Sequence, residues 1–218
     1  MNRRTLIFGT TVVAALLFIG GWLVVERSAP PVLEDEAPAS SALIRFHSPV
    51  LGPQDAPVTI VEFFDPACEA CRAMHPVLTE IRKRYPQQVR IVMRYAAFHD
   101  SSEMAVRILE TARRQSIFEP VLEALLDAQP RWASHSGANL DIAWAAAAEA
   151  GLDIGKARAE MNNDAINNIL VHDALDVETV GVRRTPTFFV DGRPLLDFGA
   201  KQLIEMVRLQ VESKNLAD

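Results

Sequence analysis

Val61-Glu62-Phe63-Phe64-Asp65-Pro66-Ala67-Cys68-Glu69-Ala70-Cys71 runs from a strand into a pair of thiols. The residues from Pro57 to Phe64 are β-branched and aromatic, and Asp65-Pro66 stops them, so they read as a buried strand ending in a turn. From Cys68 to Tyr85, apolar residues at Ala70, Met74, Val77, Leu78 and Ile81 recur near helical spacing, with Pro76 inside as an expected kink. Val89 to Tyr95 reads as a second buried strand, which completes a right-handed βαβ unit with parallel strands.

Downstream, residues 101–180 hold a succession of helical patterns and no convincing strand. Thr187 to Val190 then reads as a strand, Asp191-Gly192 as a hairpin turn, Arg193 to Phe198 as the return strand and Lys201 to Val211 as a closing amphipathic helix. The order βαβ, helical block, ββα predicts an α/β fold, a mixed sheet whose two halves are separated by helices. The thiols fall at the C-terminal end of the first strand, where sites of such sheets tend to form.

The 218 residues carry 22 Lys plus Arg against 28 Asp plus Glu, a formal charge of −6, and 49% are hydrophobic. The chain is therefore neither disordered by composition nor basic enough for a nucleic-acid binder, and no nucleic-acid partner is expected. Thr5 to Val25 is an uncharged apolar run long enough, at ~1.5 Å per residue, to span a bilayer core. Residues 1–27 are expected to be a membrane anchor or a long signal sequence. Arg3 and Arg4 precede the run, which predicts a cytoplasmic N-terminus, a single pass through the inner membrane and a domain in the periplasm. Residues 28–47, rich in Pro, Ser, Ala and acids at their start, are expected to form an extended linker, and residues 48–218 the folded domain.

Cys68 and Cys71 are the chain's two cysteines, spaced to close a small disulfide ring at a helix N-terminus. The helix end favours a thiolate at Cys68 by only ~0.3–1 kcal/mol, and Glu69 opposes it, so other neighbours must set its reactivity. Three readings stand at this point: a redox pair, part of a metal site, or a structural disulfide. The histidines His47, His75, His99, His135 and His172 show no paired ligand spacing, but His75, four residues after Cys71, leaves open a soft site for Cu(I) or Zn(II). Glu62, a single carboxylate in an apolar strand, is expected to be buried with a raised pKa. His75 is a candidate for tuning the thiols, His99 could approach the same end of the sheet, and Trp132 and Trp144 are candidates for a peptide-binding surface.

Together with Thr185-Pro186-Thr187-Phe188-Phe189-Val190-Asp191-Gly192, the stretch VEFFDPACEAC resembles the DsbA-like thiol–disulfide oxidoreductases of the thioredoxin superfamily. The likeness in order and spacing extends from about Gly52 to Val211. It implies a thioredoxin-like fold with a helical domain inserted at about 101–180, and exchange of disulfides with protein substrates through Cys68 and Cys71. It also implies that Pro186 is a cis-proline facing the disulfide, that Thr185 offers its backbone to the substrate chain, and that Glu62 lies beneath the thiols. Glu69 and Ala70, the residues between the cysteines, would tune the potential. Thr185 resembles the isomerase and reductase members, so the direction of electron flow stays open. No cofactor or resident metal is expected; the expected partners are thiol- or disulfide-bearing proteins and a membrane-bound redox partner, for a monomer. The competing expectation is a copper-binding thiol module of the cell envelope.

Overall fold

The computed structural model describes residues 40–134 and 137–216. The expected anchor and residues 28–39 of the expected linker lie outside the described residues. The chain begins with α1 (Ser40–Leu43), β1 (Val50–Leu51), β2 (Val58–Phe64), α2 (Glu69–Arg84) and β3 (Val89–Tyr95). The inserted block follows as α3 (Ser102–Arg114), α4 (Phe118–Trp132), β4 (Ala133–Ser134), β5 (Gly137–Ala138), α5 (Leu140–Glu149), α6 (Ile154–Glu160) and α7 (Asp164–Val180). The last part is β6 (Thr187–Val190), β7 (Arg193–Pro194) and α8 (Ala200–Asn215).

The main sheet has the order β1-β3-β2-β6-β7, with β2 parallel to β3 and antiparallel to β6. Central strand β2 is buried at every position. Its side chains alternate, so each face needs its own cover. Val58, Ile60 and Phe64 pack with Met74, Leu78 and Ile81 of α2 and with Leu203, Val207 and Val211 of α8. Val61 and Phe63 point the other way, to Leu43 of α1, Val177 of α7, Val182 and Phe189. Full burial of each such side chain contributes on the order of 1.5–3 kcal/mol, and β2 is therefore the strand on which both halves of the core depend.

Three local expectations need correction. Residues 40–47 are not a continuation of the linker: Ala42 and Leu43 are buried, and Arg45 and His47 bond to carboxylates of α7. The return strand expected over 193–198 is only Arg193–Pro194, because beyond Pro194 the chain leaves the ladder after Leu195 donates one last hydrogen bond to Phe188. The insert is not purely helical, since β4 and β5 pair through Ala133 with Ala138 and Ser134 with Gly137. These are short edge elements with few side chains to fix a pattern.

Candidate active site

Strand β2 ends at Phe64, and Asp65 turns the chain so that Cys68 becomes the N-cap of α2. Cys68 contributes no capping bond of its own, so its sulfur is left at the helix end among unpaired N–H groups. It is 8% exposed, and Cys71, one turn on, is fully buried. Both are free thiols.

The two sulfurs occupy contrasting surroundings. A hydrogen bond from Cys71 is the main reason the Cys68 thiol is pulled down to about 5, with a side-chain hydrogen bond to Thr185 and the backbone N–H groups of Cys71 and Ala70 adding to it against the cost of burial. As a thiol, Cys68 donates to the carbonyl of Thr185 at 3.3 Å. Burial, first, and the same thiol–thiol bond push Cys71 far above its ordinary range, and the charge of Glu62 acts in the same direction. Cys71 also accepts a long bond from the Asp65 amide at 3.5 Å. One thiol is thus ionised at neutral pH, and the other holds its proton.

Glu62 lies on the face of β2 that carries Ile60 and Phe64, the face covered by the thiol-bearing helix. It is 1% exposed, and burial, followed by the nearby Cys68 charge, pushes its carboxyl up to about 8. Among the described residues no hydrogen bond to its carboxyl is found. The Thr185–Pro186 peptide bond is cis, Pro186 is buried, and the loop carries Thr185 to Cys68. Glu69 is exposed and Ala70 half-buried at the start of α2, and both line a cleft of about 550 Å3 with Ala67, Cys68, Phe98 and His99.

His75 is not with the thiols. It faces α4, in a separate depression lined by Thr79, Glu80, Glu123 and Asp127, and burial lowers its pKa. The four-residue offset from Cys71 points it to the side of the helix, while Cys71 turns into the core with Met74 and Leu78. Among the described residues, His99 is the histidine that lines the cleft. Its Nδ1 bonds Asp65 at 2.7 Å, which raises its pKa against the cost of burial. The indoles are core rather than binding surface: Trp132 is fully buried, and Trp144 is 7% exposed with Arg158 over its ring. Among the described residues no group of three or more His, Cys, Asp or Glu side chains converges closely enough to hold a metal ion.

Two residues that pattern reading passed over shape the turn. Asp65, fully buried, accepts from the amides of Ala67 and Phe98 at 2.8 Å, from the His99 amide at 3.3 Å and from the Ser102 hydroxyl. It ties the thiol turn to the loop after β3. Gln129 of α4, 1% exposed, reaches the same turn from the insert. The Asp-Pro pair signalled a turn but not its bonding, and nothing around Gln129 in sequence distinguished it from an ordinary helix residue.

Residues 46–207 match the family described as Thioredoxin. A thioredoxin-like oxidoreductase from Silicibacter pomeroyi DSS-3 superposes with a TM-score of 0.68 at 25% identity, over 79% of this chain and 96% of that one. BdbD from Bacillus subtilis, in its oxidised form, superposes with a TM-score of 0.67 at 21% identity, over 76% of this chain and 93% of BdbD. In sequence, a Na(+)/H(+) antiporter NhaA from Herminiimonas arsenicoxydans is 29% identical over 185 residues. The match spans 80% of this chain but only 28% of the antiporter.

Proposed function

The chain belongs to the thioredoxin family, and on that premise we propose that it is a thiol–disulfide oxidoreductase that exchanges disulfides with protein substrates through Cys68 and Cys71. The observation that carries this reading is the asymmetry of the dithiol: Cys68 is pulled down to about 5 while Cys71 is pushed far above its ordinary range. A thiolate is the attacking and leaving form, and a low-pKa thiolate leaves well.

In the oxidised protein, a substrate thiolate attacks Cys68 Sγ. The Cys68–Cys71 bond breaks, and the electron pair and then a proton go to Cys71. A second substrate thiolate attacks the substrate sulfur of the mixed disulfide, which releases the substrate disulfide and Cys68 as thiolate. Two electrons have passed from substrate to protein. In the reverse direction Cys71 must lose its proton to attack Cys68, and Glu62, with a carboxyl at about 8, is the proposed group to exchange that proton. Thr185, whose carbonyl lies 3.3 Å from Cys68, is the proposed docking edge for the substrate backbone beside Pro186. Stabilising the Cys68 thiolate favours the reduced protein and hence donation of disulfides, against the isomerase or reductase direction suggested by Thr185 and Glu69.

This reading includes residues 1–27 as a tether or signal, residues 28–39 as a linker, a monomeric domain in the periplasm and a membrane-bound redox partner. The copper-module reading loses support because His75, its third ligand, faces α4 rather than the thiols.

Replacing Cys68 with serine is expected to abolish exchange with a reduced peptide substrate, and replacing Cys71 with serine to accumulate mixed disulfides on Cys68. Full turnover in either variant overturns the assignment. Acid quench of intact cells with mass-tagging of free thiols reads the direction: a mostly oxidised pair supports disulfide donation, and a mostly reduced pair supports the reverse.

A further inference from the structure

The thiol turn is held from outside the thioredoxin core, by a side chain of the inserted helical block. Gln129 sits in the last turn of α4, and its amide nitrogen donates to the carbonyls of Pro66 at 2.8 Å and Cys68 at 3.0 Å. Its amide oxygen accepts from Nε of Arg72 at 2.9 Å. Two carbonyls on one side and a guanidinium on the other admit only this orientation of the amide, since the nitrogen supplies two donors and the oxygen only accepts. All three contacts are therefore chemically matched, and Gln129 is 1% exposed.

The bonded carbonyls bracket the reactive residue. The Cys68 carbonyl also accepts the first helical bond, from the Arg72 amide at 3.1 Å. Gln129 thus holds both the Cys68 peptide and, through Arg72, the turn of helix immediately after Cys71. Fixing these planes keeps the N–H groups of Ala70 and Cys71 directed at the Cys68 sulfur, where they favour its ionised form. Asp65 performs the equivalent service on the other side of the turn, from within the core.

We propose that Gln129 is a positioning residue for disulfide exchange, which couples the inserted helical block to the reactivity of Cys68 by clamping the Pro66 and Cys68 carbonyls and Arg72. The proposal rests on the thiol–disulfide reading of the site. It gives the insert a direct part in the chemistry, beyond covering the sheet.

The test uses the full chain and two variants. Q129M keeps the volume but removes both donors and the acceptor. Q129E keeps the acceptor for Arg72 and turns a carboxylate oxygen onto the two carbonyls. The Cys68 thiolate is titrated by its ultraviolet absorbance in the reduced protein, and exchange with a cysteine-containing peptide is timed at neutral pH. In Q129M the thiolate midpoint is expected to rise by about half a pH unit or more and, because Cys68 becomes a poorer leaving group, exchange to slow by about twofold. In Q129E, where the added charge also opposes the thiolate, both effects are expected to be larger. R72M, which leaves the carbonyl bonds in place, should give a smaller shift in the same direction.

Circular dichroism and the thermal midpoint establish that each variant is folded before its thiol is titrated. Should Q129M misfold, R72M and Q129E carry the same comparison. Folded variants that titrate and exchange like the parent protein overturn the proposal. So does a loss of stability with an unmoved thiolate midpoint, because that is the outcome of a merely structural contact. If instead the parent protein fails to exchange disulfides while its Cys68 midpoint still responds to Q129M, the function reading fails and the positioning of the thiolate stands.

Discussion

Two strand residues on opposite faces of the sheet, Arg94 and Glu62, bury their charge in opposite ways. On the face covered by α7, Arg94 of β3 is wholly buried, yet its guanidinium is spent on Asp173 at 2.7 Å, Asp176 at 2.6 Å and the Ala42 carbonyl at 2.5 Å. Arg45 and His47 complete the same carboxylates. On the face covered by α2, Glu62 is as deeply buried and has no hydrogen-bond partner among the described residues, and the thiols lie beside it. A buried charge that is fully paired fixes the fold; one left unpaired shifts its pKa and becomes available for proton transfer. The difference assigns structure to one side of the sheet and chemistry to the other.

The largest loss is expected at Arg94. Replacement by methionine removes the cation that Asp173 and Asp176 share and leaves them to His47 and Arg45, and breaking a buried ion pair of this kind costs up to ~3–5 kcal/mol. Urea unfolding is expected to show a loss of that order, with the Cys68 titration of the folded fraction unchanged. A shifted thiolate midpoint would mean that the two faces are not independent.

The thiol face responds to pH instead. Glu62 rises from an ordinary 4.5 to about 8 on folding, so the stability it contributes is full below about 4.5 and is lost as pH rises through about 8. Cys68 falls from 9.0 to about 5, so its contribution is present above about 9 and is lost as pH falls through about 5. Between about 5 and 8 the slopes oppose, each ~1.4 kcal/mol per pH unit, and the reduced protein is expected to hold nearly constant stability from this pair. Glu62→Gln should leave a stability that climbs with pH across that window, and Cys68→Ser one that falls. Denaturant melts of the reduced proteins at several pH values measure both, and parallel curves for parent and variants would remove the proton pair from the site.

Much of the thiol face was legible in the sequence, and little of the other. Strands β2, β3 and β6 announce themselves by β-branched and aromatic runs with little polar interruption, and Cys68, Cys71 and Glu62 are read from positions along and just after β2, whereas the place of Pro186 follows only from the family resemblance. The cluster around Arg94 joins residues that are distant in the chain: Arg45 meets Asp176 131 residues away, and His47 meets Asp173 126 away. No local pattern marks such a pairing, so residues 40–47 read as linker when long-range ion pairs and the burial of Leu43 fold them in. The same reason hid Gln129, whose partner Cys68 is 61 residues away. His75 failed differently: helical spacing fixed its side of α2, but only the packing of α4 decides what lies there.

The smallest effect belongs to Glu69, the one acid between the cysteines. It is exposed at the start of α2, where water weakens its repulsion of the Cys68 thiolate to a few tenths of a kcal/mol. Glu69→Gln is therefore expected to lower the Cys68 midpoint by about 0.2–0.5 pH unit at low salt. The change should vanish near 1 M salt, where screening acts within about 3 Å. The bond from Cys71 that dominates the Cys68 midpoint is buried, and salt should leave it untouched. A Glu69→Gln shift that survives high salt would mean that Glu69 acts through the geometry of the turn, on the same footing as Asp65. Its loss in salt would leave the thiolate governed by buried contacts alone.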